Sequence, residues 1–454
     1  MGETIGGREP LEAWLERAVR LLSAAPVQAW EICATEEYSA SAETMDRRLL
    51  AVESLRDRGI GIRVLADGLG FSSLVEGSEA ALARAVEAAQ AEARLVRGAA
   101  ITSFAESLDG PQVLEVLSDP RATGRPREAL GALALELEAR ARRADPRVVA
   151  TRPSQISEVV GRVLIRTSSG LSVEERYSRA FATVGAVAEA DGDSHLVMAS
   201  GSASCLEALV LDPLATRAAS RAARRLGAGA FRTGRAPVLL DPEVVADLVE
   251  VLLAALAGDG IDRGASFLAP KLGTRVLSPA LTLLDRPRDP DLDGAAFFDG
   301  EGLPTVDRAL IEGGVVRGLL DDRETAARSR RAAQGSAVRA SALGRPGPGA
   351  HGPHLRPGLE ALGDLLVAAE GGLYVSELSG THTINEITGD LSLGASGWVV
   401  EGGRWGRPVE GVTVAGNLLE LLGDRIRLSA ETEVHRGMRV PAVFLEAVQV
   451  ASAG

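Results

Sequence analysis

The chain has 454 residues and a formal net charge of −13. An acidic chain without a Lys/Arg-rich folded block repels phosphate, which excludes nucleic acid as an expected partner. No apolar run reaches the ~18 residues of a membrane span, and Cys33 and Cys205 fit neither a disulfide framework nor a Cys-x-x-Cys metal spacing.

Aromatics make up only 3 % of the residues, so the core must rest on Leu, Val and Ala. Lys271 is the only lysine, a compositional bias that carries no function. At ~150 residues per domain, two or three domains are expected. The stretch MGETIGGREPLEAW has no basic segment followed by an apolar core, so no signal peptide is expected. Gly6 stands where a myristoylation pattern asks for Ser or Thr. The expectation is a cytoplasmic protein with reduced thiols.

In chain order, Leu11, Trp14, Leu15, Ala18, Val19 and Leu22 recur at helical spacing. Trp30, Ile32 and Ala34 alternate as in a strand. The stretch GIGIRVLADG ends in Asp67-Gly68, a hairpin-turn signal. Ser78 is placed to cap an Ala-rich helix reaching about Val96. Another helix is expected from Pro126 through Leu130, Leu133 and Leu137, and residues 100–120 between the two lack periodicity. An antiparallel meander follows. It has a run with Val159, Val163 and Ile165, a turn at Ser168-Ser169-Gly170, a run from Glu174 to Glu189, and a turn at Asp191-Gly192-Asp193. Asp212 as N-cap and Pro213 at the first position then open a helix that stops at Gly227.

A boundary between two halves is placed near residue 230. Ala236 to Leu240 reads as a strand. Asp241-Pro242 repeats the cap-plus-proline start, for a helix through VVADLVEVLLAALA to near Gly258. Beyond residue 270, TRVLS, GLYVSEL, SGWVVEGGRW and GVTVAG are short strand-like runs broken by Gly and Pro. The Arg/Pro/Gly-rich segment 328–358 lacks interleaved aromatics, so it reads as a mobile loop and not as a nucleic-acid arm.

The C-terminal half also carries a specific set of residues. The run GLYVSELSGTHTINEITGDLSLGASGWVVEGGRWGRPVEGVTVAGNLLELL contains Asn385-x-x-Thr388-Gly389-Asp390, Gly394-x-x-Gly397, Pro408-Val409 and Ala415-Gly416-Asn417. Upstream stand Phe298-Asp299-x-Glu301-Gly302 and Asp57-Arg58-Gly59. In this order, across most of the chain, the set resembles the TldD/TldE (PmbA) metalloprotease-related family. The Ala-Gly-Asn-Leu-Leu ending resembles its TldE (PmbA) branch. The resemblance implies an α+β fold: an N-terminal α/β domain, 1–230, and a mostly antiparallel β-rich domain, 231–454. The equivalent of the family's zinc helix lies near the start of the second domain.

In TldD-like members, the resemblance implies, that helix carries His-Glu-x-x-x-His. Two histidines and a cysteine near the C-terminus hold zinc, and the glutamate is the general base. Three protein ligands and one open position let zinc lower the pKa of a bound water to ~7, and the carboxylate takes the water's proton. Aligned on GDGIDRGASF, the motif falls on VEVLLA. Val249 and Ala254 then replace the histidines, and Glu250 stands at the general-base position. Neither valine nor alanine can coordinate zinc. No histidine lies between His195 and His351, so a slip of one residue changes nothing.

No metal, cofactor or catalytic residue is therefore expected. Glu250 is at most a remnant of the base; the plainer reading is a solvated or capped carboxylate. His435 lies roughly where the TldD-like cysteine would fall, but one ligand is not a site. His351 and His354 could chelate from a helix, which Gly352, Pro353 and Pro357 disfavour. Ser202, Ser204 and Cys205 in GSASC depart from Gly-x-Ser-x-Gly and have no local histidine, so they read as a turn.

By resemblance, the chain is a non-catalytic TldE/PmbA-like subunit of a cytosolic metalloprotease that processes or degrades small unfolded peptides. Its partner would be a TldD-like zinc subunit. An extended peptide can add to a sheet edge through main-chain hydrogen bonds. Segment 380–394 is the expected contact region, with Gly380, His382, Asn385, Thr388, Gly389 and Asp390 as the expected peptide contacts and glycine-rich turn geometry as the competing account. Two other readings stand beside this one: an active atypical peptidase with an unrecognised site, and a homodimeric peptide-binding or regulatory protein.

Overall fold

The computed structural model describes residues 9–96, 98–106, 113–117, 127–292, 294–341 and 343–452. The fold is α+β, with large antiparallel sheets. Among the described residues, seven strands build the first sheet: β1 (Ala29–Met45), β2 (Arg48–Leu65), β3 (Leu69–Leu74), β4 (Val113–Leu117), β5 (Val148–Thr167), β6 (Ser172–Ala190) and β7 (Asp193–Ala203). Their order is β3-β2-β1-β5-β6-β4, with β7 also on β6, and only β4 runs parallel to its neighbour. The turns at 168–170 and 191–192 fall where expected. Pro126, expected to open a helix, lies outside the described residues.

Strand alternation sends even-numbered side chains such as Ile32, Ile62, Leu164 and Ala182 to one face. Four helices cover that face: α1 (Leu11–Ala24), α2 (Glu79–Leu95), α3 (Arg127–Ala144) and α4 (Leu211–Arg225). Ser78 caps α2 as expected, accepting from the Ala81 N–H at 3.3 Å. The start of α4 differs. The helix begins at Leu211 with Val210 at the cap, and Asp212 lies in its first turn. The Asp212 carboxylate is engaged by Arg140 of α3 at 2.8 Å, so it is not the cap.

The second half opens with β8 (Gly234–Leu240) and α5 (Pro242–Ala255). Short strands follow: β9 (Leu283–Asp285), β10 (Arg308–Glu312), β11 (Val315–Val316), β12 (Ala337–Arg339), β13 (Pro346–Pro348) and β14 (Pro353–Leu355). The longer ones are β15 (Leu373–Ser379), β16 (Asp390–Glu401), β17 (Arg404–Asn417), β18 (Ile426–His435) and β19 (Met438–Ser452). β8 pairs with both β15 and β19, which closes the hydrogen-bonded ring β8-β19-β17-β16-β15. Two expectations are corrected here. TRVLS is not a strand; only Arg275 makes a single bridge, to Val315. Segment 328–358 is not a free loop: β12 pairs with β13, and β14 sits between β9 and β19. Backbone pairing holds it, with Ala337 and Leu355 buried.

The odd-numbered face of the first sheet meets this second half through charge. Glu31 and Arg63 are register partners on β1 and β2. Arg63 Nη1 lies 3.2 Å from Glu31 and 2.6 Å from Glu301, and Arg339 reaches Glu31 at 2.7 Å. All four side chains are buried, so each charge depends on its partners. Removing one side of such a cluster leaves uncompensated buried charge and costs about 3–5 kcal/mol. Arg63→Met is therefore expected to lower unfolding stability by that amount, measured by urea denaturation; an unchanged midpoint would contradict the cluster's role.

Asp299 lies at the same junction and accepts the N–H groups of Glu301, Leu303 and Ala337. Burial, and then the charge of Glu301, push its pKa up to about 7 in spite of those bonds. The unfolded carboxyl releases its proton near 3.8. Between these pH values the folded state binds more protons, so this contribution to stability is present below about pH 4 and lost as pH rises through 7. It amounts to on the order of 4 kcal/mol. Asp299→Asn is expected to flatten the fall in stability between pH 4 and 8, measured by chemical denaturation across that range.

Candidate functional site

Helix α5 is fixed at its first turn. Pro242 occupies the first position, and Asp241 Oδ1 accepts from the Glu243 N–H at 3.0 Å, as the cap-plus-proline pattern predicts. Asp241 Oδ2 accepts from the Tyr374 hydroxyl of β15 and from Arg221 of α4, each at 2.6 Å. Arg221 also reaches Glu243 at 2.8 Å. Burial, then Asp241, push the Tyr374 phenol far up, so it stays a donor. One carboxylate thus joins a helix cap, a strand and a neighbouring helix.

The inner face of α5 buries Val245, Leu248, Val249 and Leu252 in the core of the second half. The opposite face turns Asp247, Glu250, Val251 and Ala254 toward a cavity of about 280 Å³. These positions follow the i, i+3, i+4, i+7 spacing of one helix face. The facing wall comes from Thr381, His382, Ile384 and Glu386, with Phe267 beside them. The Phe267 N–H donates to the Glu386 carbonyl at 2.9 Å, which anchors that wall.

Of the expected contact residues, His382 lies on the cavity wall. The others build the loop that carries the wall. Gly380 adopts φ +85 before the single turn of 381–383. Asn385 Oδ1 accepts the N–H groups of Ile387 and Thr388 at 2.9 and 3.0 Å. The Thr388 hydroxyl donates to Asp390 at 2.7 Å. Gly389 sits at φ +80, the left-handed region that a side chain strains. Asn417 Nδ2 closes the loop on the Thr388 carbonyl and on Asp390, at 2.8 and 2.9 Å. These bonds from Asn417 and Thr388 hold the Asp390 carboxyl below its usual range.

The cavity is acidic and partly apolar. Burial raises the Asp247 carboxyl, Arg436 at 2.9 Å opposes the shift, and Glu250 adds to it. Glu250 is half-exposed, 3.8 Å from Arg436. Asp247 was not anticipated, whereas Thr381 and Glu386 fall inside the expected contact segment 380–394 without being among the residues singled out. Asp247 lies three residues before Glu250, so helical spacing from Glu250 would have found it.

The residues present do not fit a zinc ion. Val249 is 2 % exposed and faces the core, and Ala254 brings only a methyl group to the cavity wall. His435 is taken by Glu433 at 2.9 Å, with Arg217 at 3.5 Å. His435 and Arg217 together bring the Glu433 carboxyl down to about 2. His351 and His354 have separate partners, the Ala337 carbonyl at 3.1 Å and Asp289 at 2.8 Å. Burial lowers the pKa of both rings. Among the described residues, no group of three His, Cys, Asp or Glu side chains could hold a metal ion. The turn expected at GSASC is corrected in part: Ser202 lies within β7, paired with Phe181, and the chain bends only at Ser204 and Cys205, where the Ser204 carbonyl accepts from the Ser178 hydroxyl.

Three domain models of one family match the chain. They are the PmbA/TldA metallopeptidase domain 1 at 30–93, the central domain at 122–226 and the C-terminal domain at 233–452. A Haemophilus influenzae metalloprotease PmbA homologue is 27% identical over 95% of this chain and 94% of its own length. The Escherichia coli metalloprotease PmbA is 27% identical over 98% and 96%. The crystal structure of TldE from Thermococcus kodakarensis superposes with a TM-score of 0.85 over 97% of this chain and 99% of that one; at 21% identity this shows a shared fold. Among the described residues, no helix is long and apolar enough to cross a membrane.

Asn417 fastens the loop and also caps the short helix after it, accepting from the Leu419 N–H at 3.1 Å. Asn417→Ala is expected to cost about 1–2 kcal/mol and to speed limited proteolysis between residues 380 and 390, read by mass spectrometry of the first fragments.

Proposed function

The chain belongs to the PmbA/TldD metallopeptidase family, and from that premise we propose that it is a non-catalytic, TldE-like subunit. In this reading it pairs with a TldD-like zinc protease in the cytosol and helps it process small unfolded peptides. The observation that carries the reading is the outer face of α5. The positions aligned with a zinc motif hold a core valine, a half-exposed glutamate and a wall alanine. A lone carboxylate without a metal or a positioned nucleophile is a weak means of activating water. What remains is a groove with one helical wall and one loop wall.

Such a groove suits an extended segment. The apolar Val251, Ile384 and Phe267 can receive a side chain, and the carboxylates of Asp247, Glu250 and Glu386 disfavour acidic residues there. His382 is the expected contact that lies on this wall, and Gly380, Asn385, Thr388, Gly389 and Asp390 hold the wall in place.

The test is co-purification with a TldD-like zinc subunit, followed by cleavage of an unstructured peptide. The chain alone is expected to be inert with or without added zinc, and the pair to be active until a chelator is added. Ala254→Trp, which fills the cavity, is expected to lower cleavage by the pair about ten-fold while both subunits still co-elute. Chelator-sensitive cleavage by the chain alone would overturn the reading, and a stable homodimer that ignores the zinc subunit would favour a peptide-binding protein instead.

A further inference from the structure

A second cavity, of about 440 Å³, lies between the first sheet and the residues after β9. Its floor is the sheet face turned away from the helices: Glu37 from β1, Val163 and Ile165 from β5, and Glu175, Tyr177 and Arg179 from β6. Phe298 and Val338 belong to its roof. The roof is tied down by Glu175, whose Oε2 accepts the N–H groups of Phe297 and Phe298 at 3.0 and 3.3 Å. The volume is within the ~300–1,000 Å³ range of small-molecule sites.

Two charged groups in this cavity keep unused capacity. The Arg179 guanidinium stands over the Tyr177 ring, 4.9 Å from its centroid, and no carboxylate among the described residues lies within ion-pair distance of it. The Tyr177 hydroxyl donates to Glu37 Oε2 at 2.9 Å, which leaves Oε1 without a hydrogen bond among the described residues. Tyr177 therefore links a cationic pole to an anionic one, with its ring under Arg179 and its hydroxyl on Glu37. Gly161, its register partner on β5, makes room for the ring; a Cβ there would come within 2.4 Å of it.

We propose that this cavity binds a small peptide zwitterion of about dipeptide size, with its carboxylate on Arg179, its ammonium on Glu37 and an aliphatic side chain against Val163, Ile165 and Val338. The proposal rests on this cavity alone and does not require the subunit reading of the α5 groove. Guanidinium–carboxylate and ammonium–carboxylate hydrogen bonds are the strong, charge-assisted kind, and an apolar wall adds to them.

The experiment is calorimetric titration of the whole chain with Leu-Leu, N-acetyl-Leu-Leu and Leu-Leu amide. Leu-Leu is expected to bind saturably. Each blocked peptide removes one charge and is expected to bind about ten-fold or more weakly. Arg179→Met and Glu37→Gln are expected to weaken Leu-Leu by a similar factor, with Arg425→Gln on the exposed surface as an unaffected control. Absence of saturable binding, or equal binding of the three peptides, overturns the proposal without reference to any variant. If Ala254→Trp abolishes binding and Arg179→Met does not, the dipeptide sits in the α5 groove and the proposal fails.

Discussion

The arrangement depends on a buried set of four charges at the junction of the two halves. Arg63, Glu31, Glu301 and Arg339 lie where a sheet would ordinarily bury aliphatic groups. Each of these charges would be costly alone, so the set enforces one docking geometry: Glu301 must meet Arg63, and Arg339 must meet Glu31. The Glu301 carboxylate also accepts the Arg323 N–H at 2.7 Å, which carries the constraint into the chain that follows. The first sheet is thus covered by helices on one face, and on the other by this charged junction and by an apolar cluster in which Phe298 and Leu303 pack against Cys33, Ile165 and Val173. The cavity borders that junction through Asp299 and Arg339, and Glu175 ties its roof to the strands through the Phe297 and Phe298 N–H groups.

The same economy of polar contacts places α5. Its aliphatic face packs into the core while Asp247 and Glu250 line the groove, and Asp241 fixes its first turn by joining the cap, Tyr374 and Arg221. Tyr374 in turn packs tilted against Trp398 and Trp405, at 6.2 and 4.9 Å between centroids, and the two tryptophans stack on each other at 5.2 Å. In a chain with so few aromatics, this cluster joins β15, β16 and β17 of the ring of strands through side-chain packing. The groove in front inherits its geometry from that backing.

Local chemistry was legible in the sequence, and long-range chemistry was not. Ser78 and Asp241 announce their helices because a cap acts on the next three residues. The paired turns of the meander show for the same reason. By contrast, Glu31 and Cys33 alternating with Ile32 and Ala34 look like the wet side of an ordinary strand. That side is dry because distant segments cover it: Glu301 meets Arg63 across a sequence separation of 238 residues, Arg339 meets Glu31, and Phe298 and Leu303 pack by Cys33. Segment 328–358 failed differently: its strands are three residues long, too short to show a period. At the groove, residues of the Asn385–Asp390 signature stood out by their pattern, yet they shape the loop, and the wall residues Asp247 and Glu386 carry no pattern of their own.

This separation between what holds a site and what lines it explains how the α5 region can lack donors and keep its form. The polar interactions that place the helix, those of Asp241 with the cap, Tyr374 and Arg221, involve none of the aligned positions. Val249 contributes to the core, where a polar ring would be left without a partner, so its identity favours packing over ligation. Ala254 and Glu250 lie on the outer face, where substitution changes the groove's lining at little cost to the fold. The groove's shape is set by Asp241, by the aromatic group and by Asn417, all away from the aligned positions, so the residues at those positions can vary while the two walls keep their form.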